Sequence, residues 1–156
     1  MLWRQFRRYR RRGGFRLVEF SIQGNHLHLI VEARHRKECT RRLQGMFVAV
    51  ARALNRLWWR RGRVFGDRFH DRVLVAPRQV RNAIAYVLHN AKKHGHRLGR
   101  VPIDSYSSGP WTCCWRQRVS VRGLDGVEPP IVEARTWLLR TGWRRHGLVD
   151  LTERPG

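Results

Sequence analysis

The chain has 156 residues, enough for one domain with a proper core, and its hydrophobic share of 42% excludes a disordered basic tail. It carries 33 Lys+Arg against 11 Asp+Glu, a net charge of +22, and nearly all of the excess is arginine, since only Lys37, Lys92 and Lys93 are lysines. Guanidinium forks match phosphate oxygens and stack on bases, so with seven tryptophans this composition points to nucleic acid as the partner, although GC-rich coding also enriches arginine. Cys39, Cys113 and Cys114 are odd in number and two are adjacent, which suits neither a disulfide framework nor a zinc-ligand spacing. Reduced thiols and a cytoplasmic, nucleoid-associated location are expected. No apolar run is long enough for a membrane span, and the Met1 to Phe6 opening lacks a signal-peptide apolar core.

In chain order, residues 3–12 are helix-compatible and strongly basic, a helix fragment or a basic arm, and Gly13-Gly14 ends them. Phe15 to Ile22 reads as a strand with Val18, Phe20 and Ile22 on one side. It turns through Gln23-Gly24-Asn25 into a second strand, His26 to Glu32. There the period of two puts His26, His28, Ile30 and Glu32 on one face and Leu27, Leu29 and Val31 on the other. From about Lys37 to Arg61 the period becomes 3.6: Leu43, Met46, Phe47, Val50, Leu54, Leu57 and Trp58 make one face of a long helix that Gly62 ends. Its other face carries Arg41, Arg42, Arg52, Arg56, Arg60 and Arg61.

Arg63 to Val75 reads as a loop and a third strand. Pro77 opens a second helix with Val80, Ile84, Val87, Leu88 and Ala91 on its apolar face and Gly95 as its C-terminal cap. Asn82, Tyr86 and Asn90 form an adjacent stripe, each four residues from the next. Residues 96–156, rich in Arg, Gly, Pro and Trp, read as a basic C-terminal extension, an appendage with one short helix around Val132 to Gly142. The expected class is α+β, a ferredoxin-like antiparallel sheet over residues 1–95, covered on one face by helices and carrying His26 and His28 on the other.

The chemistry rests on few residues. An isolated His-x-His is more often a half-buried strand with two incidental polar side chains than a metal site, and Tyr86 alone is a ring at a helix border. Together they make a site: His26 and His28 as imidazole ligands, the Asn90 amide oxygen as a third, and the Tyr86 phenol as a nucleophile toward a phosphodiester. Glu32 shares the histidine face and either orients an imidazole or ends the strand in solvent. Tyr106, in a Ser-Tyr-Ser-Ser-Gly-Pro-Trp loop, and Tyr9, in the basic arm, are poorer nucleophiles, and His70 and His89 suit exposed or structural roles.

Gly24-Asn25-His26-Leu27-His28-Leu29-Ile30-Val31-Glu32, then Gly66-Asp67-Arg68-Phe69, then Tyr86-Val87-Leu88-His89-Asn90 resembles the single-tyrosine HUH transposases, and within them the REP-associated tyrosine transposases of bacteria. The resemblance covers about residues 15–95, and the 105–111 loop is similar to a segment that follows the catalytic domain in that branch. It implies an HUH endonuclease fold and a nuclease and strand transferase acting on single-stranded DNA beside a hairpin, in DNA transposition. His26, His28 and Asn90 would bind Mg2+ or Mn2+, and Tyr86 would form a 5′-phosphotyrosine link and free a 3′-hydroxyl. Arg41, Arg42, Arg68, Arg72, Lys92 and Lys93 are the expected nucleic-acid contacts, in a monomer or homodimer with no membrane partner. The family pattern has a further strand and most of a helix before the segment matching Phe15, so a missing first strand is expected, leaving an unpaired edge or a cavity in the sheet. The rival expectation is a shortened, catalytically inactive protein that only binds DNA or RNA hairpins.

Overall fold

The fold is that of a computed structural model, which describes residues 1–66, 69–93, 95, 102–124 and 126–153. Alternating apolar residues make Phe15–Ile22 (β2) and Leu27–Glu32 (β3) an antiparallel hairpin. Arg11–Arg12 (β1) adds two residues on the outer side of β2, so the sheet runs β1-β2-β3. The register pairs Ser21 with His28 and Arg16 with Glu32, and slips between Leu17 and Glu19. That bulge corrects the expected alternation: Leu17, Phe20 and Ile22 share one core, and Val18 is turned into the other.

Helices cover both faces, not the single face expected. On one lie Leu2–Tyr9 (α1) and Arg36–Leu57 (α2), where Phe6, Leu43, Met46 and Val50 bury Phe15, Leu17 and Phe20, with Leu27, Leu29 and Val31 at the margin. Each large side chain so buried contributes roughly 1.5–3 kcal/mol. The second helix stops at Leu57, before the expected Arg61. Trp59 turns left-handed at φ 51°, and the Asn55 amide donates to the Gly62 carbonyl at 2.7 Å, which folds the chain back before Gly62 is reached. On the other face Pro77–Lys93 (α3) packs Val80, Ile84, Val87 and Leu88 on Val18 and Ile30. The expected third strand is absent from the described residues. Val73 and Val75 are 70% and 72% exposed and only Leu74 packs inward, so the stretch has no neighbour to ladder with.

The C-terminal residues are not a loose appendage. Ile103, Cys114, Trp115, Ala134, Leu139, Trp143 and Val149 are buried with α3 in one cluster. The expected helix shrinks to Trp137–Arg140 (α4), capped by the Thr136 hydroxyl, followed by a 3-10 helix at Gly142–His146. This segment also closes the free edge of β2. Ile22 N donates to Tyr106 O at 2.9 Å, Ser108 N to Phe20 O at 2.8 Å and Val132 N to Leu17 O at 3.0 Å. The edge expected to be bare is paired over these residues. Below it, the wholly buried Glu19 carboxylate accepts from the hydroxyls of Ser108 and Thr112 and from Cys114 Sγ, and burial pushes its carboxyl up to about 7. The class is α+β, a three-stranded antiparallel sheet with helices, compatible with a ferredoxin-like arrangement. No helix of the described residues is long and apolar enough to cross a membrane.

Candidate active site

The site is built where the start of β3 meets the C-terminal half of α3. The period of the strand sends Leu27 and Leu29 into the α1–α2 core and Ile30 into the α3 core, which puts His28 on the α3 side. The helix is docked by its apolar stripe, and the same docking brings Tyr86 and Asn90, one turn apart, over the histidines.

The four side chains touch in sequence. The His26 and His28 rings meet edge to face with centroids 4.9 Å apart. The His28 ring meets that of Tyr86 in the same manner at 5.1 Å. His26 Nε2 lies 3.4 Å from Asn90 Nδ2. On the far side of the same imidazole, Nδ1 is 2.8 Å from Asn25 Oδ1. Since Asn25 Oδ1 only accepts, Nδ1 carries the proton and Nε2 presents its lone pair toward Asn90.

This donor set fits a divalent cation. Asn90 is fully buried, yet its Oδ1 has no hydrogen-bond partner, a loss of about 1–3 kcal/mol unless something is bound there. Rotation of the carboxamide about its last bond exchanges Nδ2 with Oδ1 and brings that oxygen to His26 Nε2. Two lone pairs facing each other repel, and a shared cation removes the conflict. Two imidazoles and an amide oxygen suit Mn2+ and, with water completing the shell, Mg2+. Among the described residues no group of three or more His, Cys, Asp or Glu side chains could hold a metal, so a cation at this cluster would need the Asn90 amide beside the two imidazoles.

Comparison with protein-family models, with curated proteins and with solved structures gives no match to this chain. The resemblance therefore rests on the residues named above.

The expected phosphate contacts divide. Lys93 is exposed, with Nζ 4.7 Å from the Tyr86 ring centre, a cation beside the candidate nucleophile. Lys92 is turned away: its Nζ donates to the Leu151 carbonyl, and burial lowers its pKa. Arg41 and Arg42 sit on α2, across the sheet from Tyr86; Arg41 is exposed and Arg42 half-buried. Arg72 is exposed on the segment before α3, and Arg68 lies outside the described residues.

Glu32 does neither of the things expected of it. Its carboxylate accepts from the backbone N–H groups of Arg135 and Thr136, at 2.7 and 2.9 Å, and ties β3 to the C-terminal segment. His89 is structural, bonded to the Asp150 carbonyl at 2.9 Å against Trp115, and His70 is exposed. Tyr106 is 66% exposed, and Tyr9 packs against Gly45 of α2. Asn25 is the residue that the sequence pattern left without a role. It precedes a histidine in a turn, and that adjacency is the only signal available for an orienting partner.

Proposed function

We propose that this protein is a metal-dependent endonuclease and strand transferase for single-stranded, hairpin-associated DNA, with Tyr86 as nucleophile. What supports the reading is that His26, His28, Tyr86 and Asn90, from a strand and a helix far apart in sequence, form one contiguous cluster. A divalent cation, Mg2+ or Mn2+, held by His26, His28 and Asn90 would polarise the phosphodiester. The Tyr86 hydroxyl attacks phosphorus and gives up its proton to solvent. The bond from phosphorus to the 3′ oxygen breaks and that oxygen takes up a proton from solvent, leaving a 3′-hydroxyl and a 5′-phosphotyrosine. Attack by a 3′-hydroxyl on that link reverses the step and joins strands. Asn25 holds the His26 tautomer, and Lys93 stabilises negative charge beside the phenol.

A different observation favours hairpin binding without cleavage: the net charge is +22, and the exposed Arg41, Arg52 and Arg56 of α2 lie across the sheet from the cluster. A covalent-adduct experiment separates the two. Protein and labelled single-stranded hairpin DNA are incubated with Mn2+ or Mg2+ and run on a denaturing gel beside Tyr86→Phe. A metal-dependent adduct absent from the Phe variant establishes the strand transferase. Tight binding by both proteins with no adduct from either establishes the binder.

A further inference from the structure

Beyond the cluster, the end of α2 and the turn after it present three large apolar side chains to solvent. Leu57, Trp58 and Trp59 are 56%, 52% and 96% exposed. Trp59 is also the one non-glycine residue with positive φ among the described residues, at 51°. This is not a loose end. Arg60 N donates to Asn55 O at 3.0 Å, the Asn55 amide to Gly62 O at 2.7 Å, and Arg60 Nη2 to Arg63 O at 2.9 Å. The turn is tied at both ends and holds the indole outward.

Its surroundings are cationic. Arg56, Arg60, Arg61 and Arg63 are exposed, and no acidic residue occurs between Glu38 and Asp67. Arg56 also lines a groove of about 530 Å3 between α1 and α2, together with Arg4, Arg8 and Arg52. No carboxylate lines that groove. A buried interface with another protein would call for fewer uncompensated guanidiniums, whereas a polyanion with flat aromatic groups satisfies both features. Bases in a duplex are already stacked on each other, so an indole standing alone in water selects an unpaired one.

We infer that Trp59 is a stacking platform for an unpaired nucleobase, and that the adjoining arginine groove carries the phosphates of the same strand. This rests on the nucleic-acid part of the proposed function and adds to it a second contact region, on the opposite side of the sheet from Tyr86. It fits a strand that is gripped in one place and cut in another.

The test is fluorescence anisotropy at fixed salt with a labelled thymidine homopolymer of roughly 16 nucleotides, the upper end of single-strand site sizes. A strand of the same length built from abasic units is the second probe. Trp59→Ala weakens binding of the thymidine strand by about 5- to 100-fold, leaves the abasic strand unchanged and keeps the salt slope. Trp59→Phe retains most of the binding. Arg52→Ala weakens both probes and lowers the salt slope by about 0.7. Wild-type affinity in Trp59→Ala, or an equal loss on both probes, overturns the platform. An absent adduct with an intact Trp59 effect refutes cleavage alone, and an adduct with no Trp59 effect refutes the platform alone.

Discussion

The ring of His28 meets the ring of Tyr86 edge-on, with 5.1 Å between centroids and 87° between planes. Such a contact is worth about 0.5–1.5 kcal/mol and fixes where the phenol stands relative to β3. His28→Phe preserves the packing and removes the ligand. It is expected to melt close to wild type while forming at least about 100-fold less adduct. His28→Ala is expected to lose the adduct and melt at a lower temperature. Denaturing gels and thermal melts on the same preparations check both.

Asn25 acts through His26. Asn25→Ala releases the imidazole from its fixed tautomer, and the apparent affinity for Mn2+ is expected to fall by about 10- to 100-fold. Calorimetric titration of Mn2+ into the protein without DNA measures this directly. Adduct formation in the variant is expected to return at raised Mn2+.

Glu19 makes stability depend on pH. Its carboxyl rises from 4.5 to about 7 in the fold because burial disfavours the charged form. Between those values the folded chain holds a proton that the unfolded chain has lost. The stabilisation is therefore present in full below the unfolded pKa and is lost as pH rises through about 7, an amount of roughly 3 kcal/mol. His89, whose pKa burial lowers, works in the opposite sense below 6.5, inside the same range. The difference between wild type and Glu19→Gln isolates the Glu19 part. Denaturant midpoints across this range are expected to fall in wild type relative to Glu19→Gln, from which the Glu19 part of the pH dependence is absent.

Holding Trp59 in a left-handed conformation costs about 1–2 kcal/mol, which glycine does not incur. Trp59→Gly is expected to raise stability by about 1 kcal/mol in urea titrations, since the indole is 96% exposed and loses no packing. A fall in stability would mean that the indole contributes to the fold.

Cys113 is the thiol expected to react. A hydrogen bond with Cys114 and the Arg144 guanidinium, whose Nη2 donates to Cys113 Sγ at 3.3 Å, hold it well below the usual thiol range. Its buried neighbour Cys114 is pushed up, as is Cys39 by its own burial. At neutral pH iodoacetamide is expected to label Cys113 first, as peptide mapping would reveal, and Arg144→Gln to slow that labelling several-fold.

The cluster was legible because its members sit on elements with fixed periods. His-x-His on a strand and Tyr86 with Asn90 on a helix have their directions set by 2.0 and 3.6 residues per repeat. The apolar stripes of α2 and α3 were equally plain. Less visible were features that depend on a partner distant in sequence. Val18 breaks the alternation of β2 through a bulge that propensity does not encode. Valines at 73 and 75 look like strand residues, but β propensity describes a fit to neighbours, and here there are none. The C-terminal core was hidden because Ile103, Cys114, Trp115 and Val149 lie on irregular segments with no repeat. Tryptophan also has two uses here: Trp115 and Trp143 are core residues with bonded indole N–H groups, while Trp59 faces water.

The seam between β2 and the C-terminal segment bears on how the chain is made. Phe20 and Ser108, whose backbone and hydroxyl groups interlock, stand 88 positions apart. At about 5–20 residues per second, the ribosome exposes the outer edge of β2 for several seconds before its partner is synthesised. Through that interval the nascent sheet offers a naked row of amides and carbonyls to any passing strand. The arginines concentrated in α1 and β1, the neighbours of that edge, keep like chains apart by repulsion until the last third of the protein arrives to close it.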